Sequence, residues 1–203
     1  MPPEIILYIS QYGYLAIFLL IFLQEIGMPN PIPNELMLLF CGYLAFKGIL
    51  ELSVVFLTAL SADFIGTNIL YFTFYFFGGY ILQRKPRWFP VSQKTINKLS
   101  VQVLKGGKWK MYLLRLTPFI RGYTSVVTGL LQIKPKTFLP IALFSAMTWS
   151  GAYILTGKLL GPRWSFIEKN IHNIKYIMLL ALIIILALLS IRYFIKHDTD
   201  KTH

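Results

Sequence analysis

The chain has 203 residues, of which 56% are hydrophobic and only 14% are charged, whereas soluble domains have roughly 25% charged residues. Its mean hydropathy of +0.60 reflects more apolar surface than a soluble domain can bury, which excludes a soluble enzyme and indicates an integral membrane protein. The formal charge of +12 is carried by basic residues between apolar runs, so contact with lipid headgroups is favoured over binding to nucleic acid.

The first predicted element is an N-terminal transmembrane helix within residues 1–23. Its apolar run, 5–23, is long enough to cross the bilayer. The segment before that run carries Glu4 in place of the basic residues of a signal peptide, and no small-x-small cleavage site follows it. We therefore expect this segment to be a retained membrane helix.

The region 24–82 is predicted to form a re-entrant hairpin followed by one long transmembrane helix. Three prolines at alternate positions remove amide donors and push the residues before them into extended geometry, so no helix is expected there. They are Pro29, Pro31 and Pro33. The apolar run 36–46 that follows is too short to cross, whereas 52–82 is longer than one crossing needs.

A basic loop over 84–110 comes next, with eight Lys and Arg residues and no acidic residue. Such a loop is expected in the cytoplasm. Within it, Ile96, Leu99 and Val103 share one face of a predicted amphipathic helix that ends at Gly106–Gly107. We expect this helix to lie at the membrane interface, with a cytoplasmic linker helix as the alternative.

The region 111–160 is predicted to repeat the design of a hairpin followed by a transmembrane helix, which covers 137–160. Its first part holds Arg115, Pro118 and Arg121 within an apolar run. Two arginines near the middle of a lipid-exposed helix would cost at least about 2.5–3.5 kcal/mol each. Pro118 also breaks the helix between them, so this part is predicted to be a second re-entrant hairpin.

A last transmembrane helix is predicted over 174–195. If 111–131 is re-entrant, every basic cluster falls on one face of the membrane, which places both termini in the cytoplasm. The two hairpins then enter from opposite sides, as in the inverted repeats of many transporters. The expected fold is a single all-α integral membrane domain over 1–203, with transmembrane helices and two oppositely oriented re-entrant helical hairpins, in the cell (plasma) membrane.

The distribution of charge indicates a site between the two halves. The chain has no acidic residue from 64 to 167, so Arg115 and Arg121 have no acidic partner in their own half. Because a buried guanidinium needs a counter-charge, the candidates are Glu25, Glu35 and Asp63, or an anionic substrate. Asp63 lies deepest of the three in a continuous helix and has the fewest alternative roles.

Structural alternatives stay open for these residues. Glu35 follows Pro33 at the start of a helix, where an acid favours the positive helix end. Glu25 could lie at the membrane interface, and the arginines could be structural partners of the acids. No metal or cofactor is expected, because Cys41 is the only cysteine and the histidines are few and scattered.

Several motifs of this sequence resemble the DedA family, also called the SNARE-associated Golgi or VTT-domain family. The resemblance covers about residues 10–160. The motifs are the segment from Glu25 to Glu35, Asp63-Phe-Ile-Gly66, Gly106-Gly107-Lys108, Arg115-Leu-Thr-Pro118-Phe-Ile-Arg121 with Gly129, and Thr148-Trp149-Ser-Gly151. The resemblance implies two membrane-embedded hairpins in inverted repeat.

The resemblance also implies a function, the movement of lipids between membrane leaflets with coupling to protons. Family members are implicated in recycling undecaprenyl phosphate and in distributing phosphatidylethanolamine. The matching charged residues are then the functional ones, namely Glu25, Glu35, Asp63, Arg115 and Arg121. The residues expected to shape the hairpins are Pro29, Pro31, Pro33, Pro118, Gly107 and Gly129.

The mechanism expected from these residues is alternating access for a lipid phosphate. Arg115 and Arg121 would bind the phosphate as guanidinium forks. The acids would hold the arginines when the site is empty, and one of them would take up a proton. Asp63 is the first choice as this proton carrier, because it lies deepest in a continuous helix. The expected partners are lipids with phosphate-bearing headgroups and protons, with a homo-oligomer left open and no cofactor.

Two other functions are weighed against this transporter. One is a proton-coupled transporter of ions or small solutes. The other is an enzyme, a membrane phosphatase acting on lipid phosphates, which would need a nucleophile or a general base beside the arginines. Because the first histidine in the chain is His172, the common general base is missing from the region of the arginines, and no enzyme is expected.

Overall fold

The computed structural model describes residues 3–28, 33–84, 93–118 and 120–164. These residues form helices and no β-strand, which confirms the predicted all-α class for this part of the chain. The elements are α1 Pro3–Glu25, α2 Asn34–Phe46, α3 Leu52–Arg84, α4 Gln93–Arg115, α5 Arg121–Leu130, α6 Pro135–Leu159 and the short 3-10 helix Gly161–Arg163. The chain divides into two compact units, residues 1–161 and 162–203. The helix packing and the candidate site described below belong to the first unit.

Two of the predicted membrane helices are confirmed as long apolar helices. Within the described residues, Leu52–Ile81 of α3 and Pro135–Leu159 of α6 are long and apolar enough to cross a membrane. The short helix predicted after the proline segment is also present as α2, with 13 residues. The predicted C-terminal helix over 174–195 lies outside the described residues.

The predicted breaks in the two hairpin segments are present. Pro33 has an extended backbone, with ψ of 135°, and α2 begins directly after it. In the second segment, α4 ends at Arg115, and the chain runs through Pro118 in a non-helical turn before α5 begins at Arg121. Each segment is thus a broken helix, while its re-entrant insertion stays a prediction.

A further break lies inside α4, where Gly107 adopts φ of 57° and ψ of −149°. The helix predicted to stop at Gly106–Gly107 does stop there. Glycine permits this break, because a residue with a side chain rarely adopts a positive φ. Before the break, Ile96, Leu99 and Val103 are buried against Val127 of α5 and its neighbours. The apolar face of this helix is therefore covered by the protein.

The short helix of each half packs against the long helix of the other half, α2 on α6 and α5 on α3. At the first crossing, a Cβ on Gly42 would overlap the backbone oxygen of Ile154, and one on Gly157 would overlap that of Leu39. The backbones of α2 and α6 thus touch, as small residues permit between membrane helices. This reciprocal packing is what an inverted repeat would produce, although the repeat itself stays a prediction.

Candidate functional site

A cluster of two acids and two arginines lies buried between the two halves of the chain. Glu25 ends α1 and Asp63 lies in α3, whereas Arg115 ends α4 and Arg121 begins α5. Their exposed fractions are 3%, 1%, 1% and 7% respectively. The structure thus brings together four of the five charged residues that the sequence singled out, as acids from one half facing arginines from the other.

Asp63 is the centre of this cluster because it pairs with both arginines. Its Oδ1 lies 3.4 Å from Nη2 of Arg115, and its Oδ2 accepts a hydrogen bond from Nη2 of Arg121. Glu25 pairs with one arginine, since its Oε1 lies 3.2 Å from Nη2 of Arg121. With both acids ionised, two negative charges balance two positive charges in this buried site.

Arg115 is fully engaged by side chains of the protein. Its Nε donates to Ser145 Oγ at 2.7 Å, its Nη1 donates to Ser125 Oγ at 2.7 Å, and its Nη2 donates to Thr67 Oγ1 at 3.0 Å. The side chain is 0% exposed, and the ring of Phe138 lies 5.8 Å from its Cζ. In this arrangement Arg115 has the environment of a fixed structural charge.

The hydroxyl of Thr67 links the two acids. It lies 3.2 Å from Oε2 of Glu25 and 3.2 Å from Oδ1 of Asp63. Because a hydroxyl has one hydrogen, it can donate to only one of these carboxylates at a time. Thr67 was not predicted from the sequence, although its place four residues after Asp63 puts both side chains on one helix face.

The guanidinium nitrogens of Arg121 are not equally engaged. Its Nη2 meets both acids, whereas its Nε is buried and has no hydrogen-bond partner among the described residues. The Cζ of Arg121 lies 4.9 Å from the ring centre of Trp149 in α6. The indole Nε1 of Trp149 is likewise buried without a partner among these residues.

Glu35 lies at the edge of the cluster. It is half-buried in the first turn of α2 and close enough to Arg121 to interact with it electrostatically. Among the described residues it forms no direct ion pair with an arginine. Beside it, Asn34 is 1% exposed, and neither of its side-chain amide atoms has a hydrogen-bond partner there.

The residues predicted to shape the hairpins have different places. Pro29 and Pro31 lie outside the described residues. Pro33 precedes α2, Pro118 lies in the break before α5, and Gly107 forms the kink of α4. Gly129 lies inside α5 at the crossing with α3, where an added Cβ would stand 2.6 Å from the backbone oxygen of Tyr71. Its role in the structure is close helix packing.

An apolar groove of about 610 Å³ runs along α3 and the start of α6. It begins at Phe64, which directly follows Asp63 in the sequence, and continues past Phe72 to Phe76, with Leu139 on the other side. Because α3 rises about 1.5 Å per residue, the groove extends about 18 Å along that helix. Its lining suits a hydrocarbon chain.

Side chains that hold metals do not gather anywhere in the described ranges. No group of three or more His, Cys, Asp and Glu residues comes together there. The thiol of Cys41 is buried in α2.

Comparison with known proteins gives one family. The sequence profile of the VTT domain matches residues 32–159. The chain is 29% identical over 202 residues to a Staphylococcus aureus protein named undecaprenyl phosphate transporter A, covering 96% of this chain and 97% of that protein. It is 24% identical to a Bacillus subtilis protein of the same name over 188 residues, covering 90% and 89%.

A relative with a different kind of name is a Lactococcus lactis protein called alkaline phosphatase-like protein. It is 27% identical over 223 residues, covering 99% of this chain and 100% of that protein. No solved structure matches the chain significantly.

Proposed function

The chain belongs to the VTT-domain (DedA) family of membrane proteins, and from that premise we propose that it moves a phosphate-bearing lipid, such as undecaprenyl phosphate, between membrane leaflets. The observation that carries this proposal is the buried charge cluster between the two halves of the chain. Charged groups are expensive inside a membrane and are a mark of transport sites there. The names of the two transporter relatives support the phosphate as the recognised group.

Arg121 is the residue that we assign to the lipid phosphate. A guanidinium binds phosphate well through two neighbouring N–H groups, and Arg121 keeps a buried Nε without a protein partner among the described residues. Arg115 has hydrogen bonds at Nε, Nη1 and Nη2. The sequence predicted phosphate contacts for both arginines, whereas the geometry favours Arg115 as the fixed charge that holds Asp63 in place.

Proton coupling fits Glu25 better than Asp63. A proton on Asp63 would weaken its pairing with both Arg115 and Arg121, whereas a proton on Glu25 would weaken one ion pair only. The hydroxyl of Thr67 could then donate to Asp63 alone. When an anionic phosphate enters, a proton on Glu25 restores the charge balance of the cluster, which gives a physical reason for moving proton and lipid together.

The hydrocarbon chain of the lipid has a place beside this site. The groove along α3 starts at Phe64, next to Asp63, and its wall is formed by aromatic and aliphatic side chains. A lipid held at Arg121 could lay its chain there while the headgroup passes the charge cluster. The headgroup and the chain would thus have separate surfaces, one charged and one apolar.

A second candidate is hydrolysis of the lipid phosphate, which the name of the Lactococcus lactis relative favours. Such an enzyme needs a nucleophile activated by a base. The hydroxyls in contact with Arg115 belong to Thr67, Ser125 and Ser145, and all three accept hydrogen bonds from it. If the lipid recovered after transport still carries its phosphate, hydrolysis is not the function.

The test is reconstitution of the full chain into liposomes with fluorescent lipids of matched chain length and different headgroups. Dithionite added outside bleaches only the outer leaflet, so further bleaching reports lipid movement. We expect fast movement of the labelled polyprenyl phosphate and little acceleration of a labelled lipid with an uncharged sugar headgroup. Equal acceleration of both lipids would contradict recognition of the phosphate.

A further inference from the structure

Two buried hydrogen-bond donors belong to side chains that contact each other in the charge cluster. They are Nε of Arg121 and Nε1 of Trp149, and neither has a hydrogen-bond partner among the described residues. Trp149 is 4% exposed and Arg121 is 7% exposed. A buried N–H group without an acceptor is costly, and native proteins rarely keep one without a reason.

The two side chains are also in direct contact. The guanidinium carbon of Arg121 lies 4.9 Å from the ring centre of Trp149, a favourable cation–π distance. The indole ring therefore packs against the guanidinium, while the indole N–H has no acceptor among the described residues. The acids engage Arg121 through Nη2, so its Nε–H is left without an acceptor among the described residues.

We infer that Trp149 is a second donor of the phosphate site, so that one anionic phosphoryl group accepts hydrogen bonds from the indole N–H of Trp149 and from Nε–H of Arg121. This inference rests on the proposed function and deepens it. It means that the phosphate binds at an N–H of Arg121 that the acids do not use, so that Asp63 keeps its contact with Nη2. The ligand class is a phosphoryl group with two free oxygens, one for each donor.

The charge of the site agrees with this class of ligand. The charges of Glu25, Asp63, Arg115 and Arg121 sum to zero when both acids are ionised and to +1 when Glu25 carries a proton, so the protonated site balances one negative charge of the phosphate. A phosphoryl oxygen accepts from an indole N–H and from a guanidinium N–H alike. An ammonium group would offer neither donor an acceptor.

The variant that tests this inference is Trp149→Phe in the full chain. Phenylalanine keeps a ring beside Arg121 but has no N–H, so folding is expected to persist. Trp109→Phe is the matched control, because Trp109 is 69% exposed on α4 and stacks on Tyr112. The probes are farnesyl phosphate and farnesol, added to protein in detergent, and the readout is the dissociation constant of each.

We expect Trp149→Phe to bind farnesyl phosphate about tenfold more weakly than the unmodified chain, which is the scale of one hydrogen bond to a charged group. Its affinity for farnesol should not change, and Trp109→Phe should bind both probes normally. Undiminished affinity of Trp149→Phe for farnesyl phosphate would overturn the inference while leaving the proposed function intact. Equal binding of farnesyl phosphate and farnesol by the unmodified chain would overturn both.

A spectroscopic readout separates ligand contact from a purely structural role. The chain has four tryptophans, so protein labelled with 5-fluorotryptophan gives few fluorine resonances, and the one missing in Trp149→Phe identifies Trp149. We expect that resonance to shift when farnesyl phosphate is added and to stay in place with farnesol. If it stays in place with both probes, Trp149 only packs against Arg121 and the inference is wrong.

Discussion

Asp63 accepts a hydrogen bond from Nη2 of Arg121, a residue 58 positions further along the chain. This contact joins α3 of the first half to α5 of the second half in the interior of the protein. Because the second half has no acid of its own near Arg121, the two halves depend on each other for charge balance. A ligand or a proton that changes this balance therefore acts on the boundary between the halves.

Coupling to protons is predicted to depend on Glu25. Glu25→Gln keeps the size of the side chain but cannot take up a proton, so transport should continue slowly and lose its response to an inward proton gradient. The measurement is dithionite-reported lipid movement in liposomes with and without a pH gradient. Asp63→Asn is the comparison variant, and it should lose stability as well, because it weakens pairing with both Arg115 and Arg121.

The alternative assignment has a distinct result. If Glu25→Gln responds to the gradient as the unmodified chain does, Glu25 is a structural counter-ion. The coupling role would then pass to Asp63 or Glu35, or there would be no coupling.

The serines around Arg115 are predicted to stabilise the fold. Ser125→Ala and Ser145→Ala each leave a buried guanidinium nitrogen without its acceptor, so each should lower the free energy of unfolding by about 1–3 kcal/mol. Ser61→Ala is the control, because Ser61 is exposed and bonds only to carbonyls of its own helix. It should change stability by less than about 0.5 kcal/mol. Equal thermal midpoints for all three variants in detergent would contradict this role of Arg115.

The crossing of α2 and α6 is predicted to tolerate no added methyl group. Gly42→Ala places a Cβ against backbone atoms of Ile154 and Gly157, which cannot move aside as a side chain can. Overpacking of this kind costs about 1–3 kcal/mol or more. Gly79→Ala is the matched control in α3, since nothing lies within 4 Å of its added Cβ. It should be neutral or slightly stabilising, and a similar loss in both variants would show that the crossing is looser than described.

The membrane topology can be tested by cysteine labelling, since the natural Cys41 is buried. Lys94→Cys and Thr199→Cys should resist a membrane-impermeant reagent added outside the cell, whereas Ser165→Cys should react. The reason is the acid-free basic loop, which the positive-inside rule places in the cytoplasm. Labelling of positions 94 and 199 from opposite sides would make 111–131 a full crossing and remove the inverted repeat.

Much of the charge cluster could be predicted from the sequence, because the absence of acids from 64 to 167 left Arg115 and Arg121 dependent on the first half. The sequence could not decide which acid would meet which arginine, since that depends on how each helix is rotated. Glu35 was expected in the cluster, yet it lies at the edge, because the start of α2 turns it to a half-buried position.

The small polar residues of the site were harder to predict from the sequence. Thr67 and Ser145 were missed, because a hydroxyl in an apolar helix serves helix packing as often as it serves a site. The long helices and the proline breaks were predictable, since length and missing amide donors are local properties. The contact of Gly42 with the backbone of α6 was not, because it joins residues far apart in the chain.

The most direct test of the central claim is lipid movement by Arg121→Lys in liposomes. Lysine keeps the positive charge that the acids need, so this variant should fold, whereas Arg121→Leu should lose stability and transport together. An ammonium cannot hold phosphate through two N–H groups of one plane, so we predict that Arg121→Lys loses most transport of the labelled polyprenyl phosphate. Arg163→Lys, at an exposed arginine, should transport normally. Normal transport by Arg121→Lys would contradict recognition of the lipid phosphate by this guanidinium.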